Sequence, residues 1–112
     1  MKLSIVIPAR NEAGNIEHTV TQLRAHLDNA NINDIEILVV DDGSSDTTFD
    51  IVSALHDQDE RIRVVKNTGR NGFGRAVTFG LDRFTGDAVV ICMADASYSP
   101  QDVEKYYYIL RD

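Results

Sequence analysis

Four short apolar runs rich in β-branched residues, "LSIVI" (3–7), "IEILVV" (35–40), "IRVV" (62–65) and "AVVIC" (88–92), recur along the chain. Each is nearly continuous rather than alternating, the signature of strands covered on both faces. The segments between them carry helical periodicity. Ile16, Val20, Leu23 and Leu27 mark the first, Phe49, Val52 and Leu55 the second, and Ala76, Val77, Phe79, Gly80 and Leu81 the third. The tail "SPQDVEKYYYILRD" begins a fourth helix, with Pro100 at its start. Strands alternating with helices of this length imply right-handed crossovers and an α/β fold built on a doubly wound, mostly parallel sheet. Ligands of such sheets bind outside the carboxyl ends of the strands, so the residues that follow each strand are the ones to read.

Those residues are "PARNE", "DDGSSD", "KNTGRNGFG" and "MADASYSP". In the second, a buried strand breaks into two adjacent carboxylates, Asp41 and Asp42. Like charges placed there repel and lose solvation, so a metal, a hydrogen-bonding ligand or a helix terminus has to compensate. Gly43 permits the turn, and Ser44, Ser45 or Asp46 can cap the next helix. One carboxylate suffices for a cap, so a ligand contact is expected on at least one of Asp41 and Asp42. Asp95 stands alone after the fourth strand. Mg²⁺ at phosphate-handling sites is typically held by one or two carboxylates plus phosphate oxygens, which makes Asp95 the metal candidate and a surface-turn aspartate the alternative. The loop "NTGRNGFGRA" has neither the G-x-G-x-x-G spacing nor the G-K-[ST] ending of the familiar phosphate-binding loops. Its glycines indicate positive φ angles and close backbone approach, with Arg70 or Arg75 able to meet a phosphate, against the alternative of a flexible loop.

Composition narrows the partners. A chain of 112 residues, 43% apolar and 26% charged, is one globular domain by length. Eleven basic against eighteen acidic residues give a net charge of −7, and no Lys/Arg cluster falls on a predicted face, which argues against nucleic acid. An anionic ligand would need help, most simply from a divalent cation. The single cysteine, Cys92, sits in an apolar run and reads as core. His18, His26 and His56 fall in predicted helices without metal-ligand spacing, and no Ser/His/Asp or Cys/His arrangement presents itself. The apolar run near the amino terminus ends before signal-peptide length, and nothing approaches the roughly 20 residues of a membrane span. A soluble, cytoplasmic chain is expected.

Taken in order, "SIVIPARNEAGNI", "EILVVDDGSSDTT", "NGFGRAVTFGL" and "FTGDAVVICMADASYSPQDV" resemble family 2 glycosyltransferases, whose fold is the Rossmann-like GT-A type. The resemblance is strongest to the dolichol-phosphate mannosyltransferase type and covers essentially the whole chain. It implies that Pro8, Ala9, Arg10, Asn11 and Glu12 line a nucleotide pocket, that Asp42 contacts the base, and that Asp41 supports its loop. Arg75 is assigned to the nucleotide as well. The implied donor is a UDP- or GDP-linked sugar with Mg²⁺ or Mn²⁺, and the implied acceptor a lipid phosphate or a glycan, which would bring the chain to the cytoplasmic face of a membrane.

The departures from the family pattern are specific. Alignment through "SPQDV" places the second aspartate of the family's D-x-D metal motif on Asp95 and the first on Met93. A thioether is a poor ligand for a hard cation, so weak metal affinity is expected. Phe73 stands where many relatives carry lysine. In the family the acceptor site and the carboxylate that deprotonates the acceptor lie downstream of the metal motif, and an inverting transfer needs such a base. The expectation is therefore a donor-binding domain over residues 1–112, truncated or minimal. A homodimer could cover its exposed sheet edge. The alternative is a non-catalytic regulatory or scaffolding module that binds nucleotide. A phospho-acceptor receiver domain is disfavoured, because receivers carry their acidic pair after the first strand.

Overall fold

The computed structural model describes residues 1–95, 97 and 99–112; Ala96 and Tyr98, in the loop after the fourth strand, lie outside it. Strands and helices alternate as read: β1 (Leu3–Ala9), α1 (Ile16–Asn29), β2 (Ile35–Asp41), α2 (Thr48–Gln58), β3 (Ile62–Lys66), α3 (Phe73–Leu81), β4 (Ala88–Ile91) and α4 (Pro100–Arg111). The four strands form one parallel sheet in the order β3-β2-β1-β4. The chain thus winds outward from β1 through β2 to β3, then returns to add β4 on the other side of β1. The register, with Ala9 opposite Asp41 and Asp41 opposite Lys66, brings the carboxyl ends of β1, β2 and β3 level.

Strands β1 and β2 are central, and almost every residue in them is buried, as their unbroken apolar runs require. On one face Leu3, Ile5, Ile7, Ile37 and Val39 pack with Val20, Leu23 and Leu27 of α1, Val52 of α2 and Val103 of α4. On the other, Val6, Leu38 and Val40 meet Ala76 of α3. The strands β3 and β4 depart from the expectation of cover on both faces, since most of their residues are only half-buried. They are the sheet edges, where a strand has one neighbour and its helix cover runs out. Cys92 is buried, as read.

Glu36 is the residue the apolar run concealed. The residue is 2% exposed. It accepts from Ser4 Oγ at 2.8 Å and from the amide and hydroxyl of Thr85 at 2.9 and 3.0 Å, and it pairs with Arg63. One carboxylate thereby joins β1, β2, β3 and the turn before β4, at the sheet end away from the strand-end loops. Ser4 Oγ extends the brace by accepting from the Gly86 amide at 2.9 Å. No helix among the described residues is long and apolar enough to cross a membrane.

Candidate functional site

The loops that follow β1 and β2 are stitched together by short polar side chains. The Asn11 amide donates to Ser44 Oγ at 2.9 Å, and the Ser45 amide donates back to Asn11 Oδ1 at 2.8 Å. The amides of Glu12 and Ala13 donate to Thr48 Oγ1 and Asp46 Oδ2, at 3.0 and 3.1 Å. Asn11 reaches this geometry at φ +55°, a left-handed backbone that asparagine tolerates better than most residues. Of the residues read as possible caps, Asp46 accepts from the Thr48 amide at 3.0 Å and so serves the start of α2. Ser44 and Ser45 serve the partner loop instead.

Hydrogen bonds from the chain itself compensate the adjacent aspartates. Asp41, buried, closes the turn by accepting from the Ser44 amide at 3.1 Å, over Gly43 at φ +80°. Asp42 is 5% exposed, and both of its oxygens accept from the loop after β3: Oδ1 from Asn67 Nδ2 at 2.9 Å, Oδ2 from the Gly72 amide at 2.8 Å. Gly72 has φ +141°, a backbone that side chains rarely adopt. Asn67 also donates to Arg70 O and accepts from the Gly69 amide, so one side chain fixes both the glycine loop and the carboxylate. Sequence reasoning passed over Asn67. Its signal was topological, because it is the first residue after β3, as Asp42 is after β2.

A cavity of about 290 Å³ opens where these loops meet. Pro8, Ala9, Arg10 and Glu12 line it from the end of β1 and its loop, Asp42 from just after β2, Gly72 and Phe73 from the start of α3, and Met93 from beyond β4. Five of the residues read as nucleotide-binding are thus brought together. Asn11 and Asp41 are not in the lining and hold the loops behind it. Arg75 lies on a second depression of about 640 Å³, shared with Arg70, which adjoins the first at Gly72. Phe73 and Met93, 49% and 43% exposed, give the first cavity an apolar rim.

Asp95 is exposed and lies outside the lining of either cavity. The hydroxyl and amide of Ser97 hold its carboxyl below the usual aspartate range, the amide donating at 3.0 Å, so it is charged at neutral pH. Among the described residues no group of three or more His, Cys, Asp or Glu is arranged to hold a metal ion. One carboxylate beside a thioether fits a hard cation only when a bound diphosphate supplies further oxygens. Of the histidines, His26 contacts Glu104 at 2.7 Å and His56 the Ile62 carbonyl at 2.6 Å, both away from the cavity.

A doubly wound parallel sheet whose strand-end loops converge beside the reversal of strand order is a Rossmann-like architecture, and its structural neighbours place it in the GT-A class. The profile of glycosyl transferase family 2 matches residues 4–112, and the chain belongs to that family. It is 30% identical over 112 residues to the dolichol-phosphate mannosyltransferase of Saccharomyces cerevisiae, covering 100% of this chain and 42% of the yeast protein. To the protein of the same name from Pyrococcus furiosus it is 32% identical over 105 residues, 94% of this chain and 29% of that one. Among solved structures, the mannosyltransferase PcManGT from Pyrobaculum calidifontis, in complex with GDP-Man and Mn²⁺, matches with a TM-score of 0.77. The identity is 26%, over 98% of this chain and 32% of the other. Glucosyl-3-phosphoglycerate synthase from Mycobacterium tuberculosis, with Mn²⁺, UDP and glucosyl-3-phosphoglycerate, matches with a TM-score of 0.71 at 30% identity, over 92% and 37%. The chain therefore spans less than half the length of these relatives.

Proposed function

We propose that this chain binds a nucleoside-diphosphate sugar, linked to UDP or GDP, as the donor-binding part of a glycosyltransferase whose acceptor is a lipid phosphate or a glycan. The observation that carries the reading is the convergence of the β1, β2, β3 and β4 loops on one cavity with a buried carboxylate, Asp42, in its wall. In this reading the remaining lone pairs of Asp42 accept N–H donors of the base. Pro8, Ala9, Arg10 and Glu12 form the wall, and Asn11 and Asp41 keep the wall in place. Arg75 serves the phosphate side. A divalent cation, Mg²⁺ or Mn²⁺, would be held by Asp95 and would offset charge on the leaving diphosphate. With Met93 in place of a second carboxylate two residues earlier in the chain, affinity for the ion alone is low. A lipid-phosphate acceptor would be met at the cytoplasmic face of a membrane.

Calorimetric titration of the purified chain with UDP and GDP, with and without Mn²⁺, tests the reading. Binding of one nucleotide is expected, with loss of about tenfold or more in affinity for Asp42→Ala, the cost of removing a charged hydrogen-bond acceptor. A folded chain that binds neither nucleotide overturns the proposal. Met93 favours a second reading, a regulatory or scaffolding module that binds nucleotide without turnover. Nucleotide binding by the natural protein, with no consumption of nucleotide sugar in the presence of polyprenyl phosphate or glycan acceptors, would select it.

A further inference from the structure

In a chain of net charge −7, most arginines are occupied by their own neighbours. Arg24 pairs with Asp59, Arg61 with Asp28 and Asp59, Arg63 with Glu36, and Arg111 with Asp112. Arg83 lies over the Phe79 ring, 3.4 Å from its centroid, and donates to the Phe79 carbonyl. The remaining arginines are Arg10, Arg70 and Arg75, whose guanidinium groups have no hydrogen-bond, carboxylate or ring partner among the described residues. All three are exposed, and all three border the two adjoining depressions at the carboxyl edge of the sheet. Carboxylates share this edge, Asp82 on the larger depression and Glu12 and Asp42 on the smaller, but none of them pairs with these three guanidinium groups, which are left to meet an anion by hydrogen bonding.

The start of α3 falls at the same place. Helices α1, α2 and α4 each carry an acidic residue in the first turn, Glu17, Asp50 and Asp102, whereas the first turn of α3 carries none and its N-cap, Gly72, has no side chain. The carboxylate that meets this end of α3 comes from another loop, Asp42 Oδ2 accepting from the Gly72 amide at 2.8 Å, and Arg70 and Arg75 flank it in sequence without pairing to it. The one carboxylate on the larger depression, Asp82, is at the opposite end of α3. The loop beyond β4, by contrast, offers a hard cation one carboxylate and a thioether.

We infer that Arg70 and Arg75, with Arg10 on the neighbouring wall, form a diphosphate subsite that spans Gly72, so that a nucleoside diphosphate binds here without a metal ion. The inference rests on the nucleotide reading above and changes what neutralises the phosphates. Guanidinium groups match phosphate oxygens in two-pronged hydrogen bonds and remain charged throughout the working pH range, so they can supply in the protein what a cation supplies elsewhere.

The test is titration of the full chain with guanosine, GDP, uridine and UDP, in excess EDTA and again in Mn²⁺, for the natural sequence and for Arg70→Gln, Arg75→Gln and the double variant. Both arginines are exposed and unpartnered, so the variants are expected to fold as the parent does, which circular dichroism verifies. The diphosphate is expected to bind in EDTA, with Mn²⁺ tightening it less than about threefold. The double variant is expected to lose about tenfold or more for the diphosphate and nothing for the nucleoside. Diphosphate binding that appears only with Mn²⁺ overturns the inference while leaving the nucleotide reading intact. So does EDTA-resistant binding that the arginine substitutions do not weaken. Absence of binding by nucleosides and diphosphates alike overturns both.

Discussion

Asp42 holds its position through two donors on a loop 25 to 30 residues further along the chain, and this makes it the most consequential single residue at the site. In Asp42→Asn one terminal atom becomes an NH₂ group, which cannot accept, so either Asn67 or the Gly72 amide loses its acceptor. The expected cost is about 1–3 kcal/mol of stability, the penalty for stranding a part-buried donor, read as a lowered midpoint in urea unfolding. Asn67→Ala is expected to cost a similar amount and to release residues 69–72, visible as faster amide exchange across that loop. These two residues also mark what the sequence discloses and what it does not. Asp42 announces itself, because a charge at the end of an apolar strand demands a compensating partner. Asn67 does not, since asparagine after a strand is ordinary turn chemistry, and only the fold reveals that its side chain meets a carboxylate from another loop. Asn11 shows the converse limit. Its place in "PARNE" was legible, yet its backbone twist and its bonds to Ser44 and Ser45 turn it from the cavity wall into the support behind the wall.

Among the elements, α3 carries the site's most demanding packing. A Cβ placed on Gly80 would lie 2.6 Å from Val6 Cγ1 and 3.0 Å from Val40 Cγ2, so the helix approaches the sheet as closely as glycine allows. Val6 and Val40 belong to the central strands and have little room to yield. Gly80→Ala is therefore expected to destabilise the chain by about 1–3 kcal/mol despite alanine's better helix propensity, and a thermal melt with a lowered midpoint would establish it. The displacement also reaches function, because the same helix begins at Gly72 and Phe73 on the cavity wall. Strand identity and order of elements were readable from β-branched runs and helical spacing. The exposure of β3 and β4 was not, because an edge strand differs from a central one in its neighbours rather than in its own apolar content.

At the scale of the whole molecule, the strand-end loops and the Glu36 brace occupy opposite ends of one sheet, and they make different demands on solution conditions. The outer face of α4 exposes Tyr106, Ile109 and Leu110, with Ile109 70% exposed. If a second copy covers this face, light scattering should report a dimer that Ile109→Lys converts to monomer; a monomer at all concentrations removes that proposal. The pH dependence is set at the other end. Burial alone would raise the Glu36 carboxyl, but it is outweighed by hydrogen bonds from the Thr85 amide, Ser4, Arg63 and the Thr85 hydroxyl, and the net direction is downward. Asp28 and Asp59 are lowered in the same way, chiefly by hydrogen bonds from Arg61. A carboxyl depressed in the folded chain binds its proton less readily there than in the unfolded chain. Its contribution is therefore complete above the ordinary carboxylate range of about 4 and is lost as pH falls through the folded value. Stability should accordingly hold through neutral pH and decline in acid. Glu36→Gln removes the charge while keeping the size, and its amide NH₂ would face donors. It is expected to cost about 1–3 kcal/mol at pH 7 and progressively less as pH falls below the ordinary carboxylate range of about 4, where proton uptake by the unfolded chain removes the advantage of the natural glutamate. Urea unfolding of both proteins across that range measures the difference. Curves that converge in acid assign the acid sensitivity to the brace, whereas a gap that stays constant with pH would place it in the Arg61 network instead.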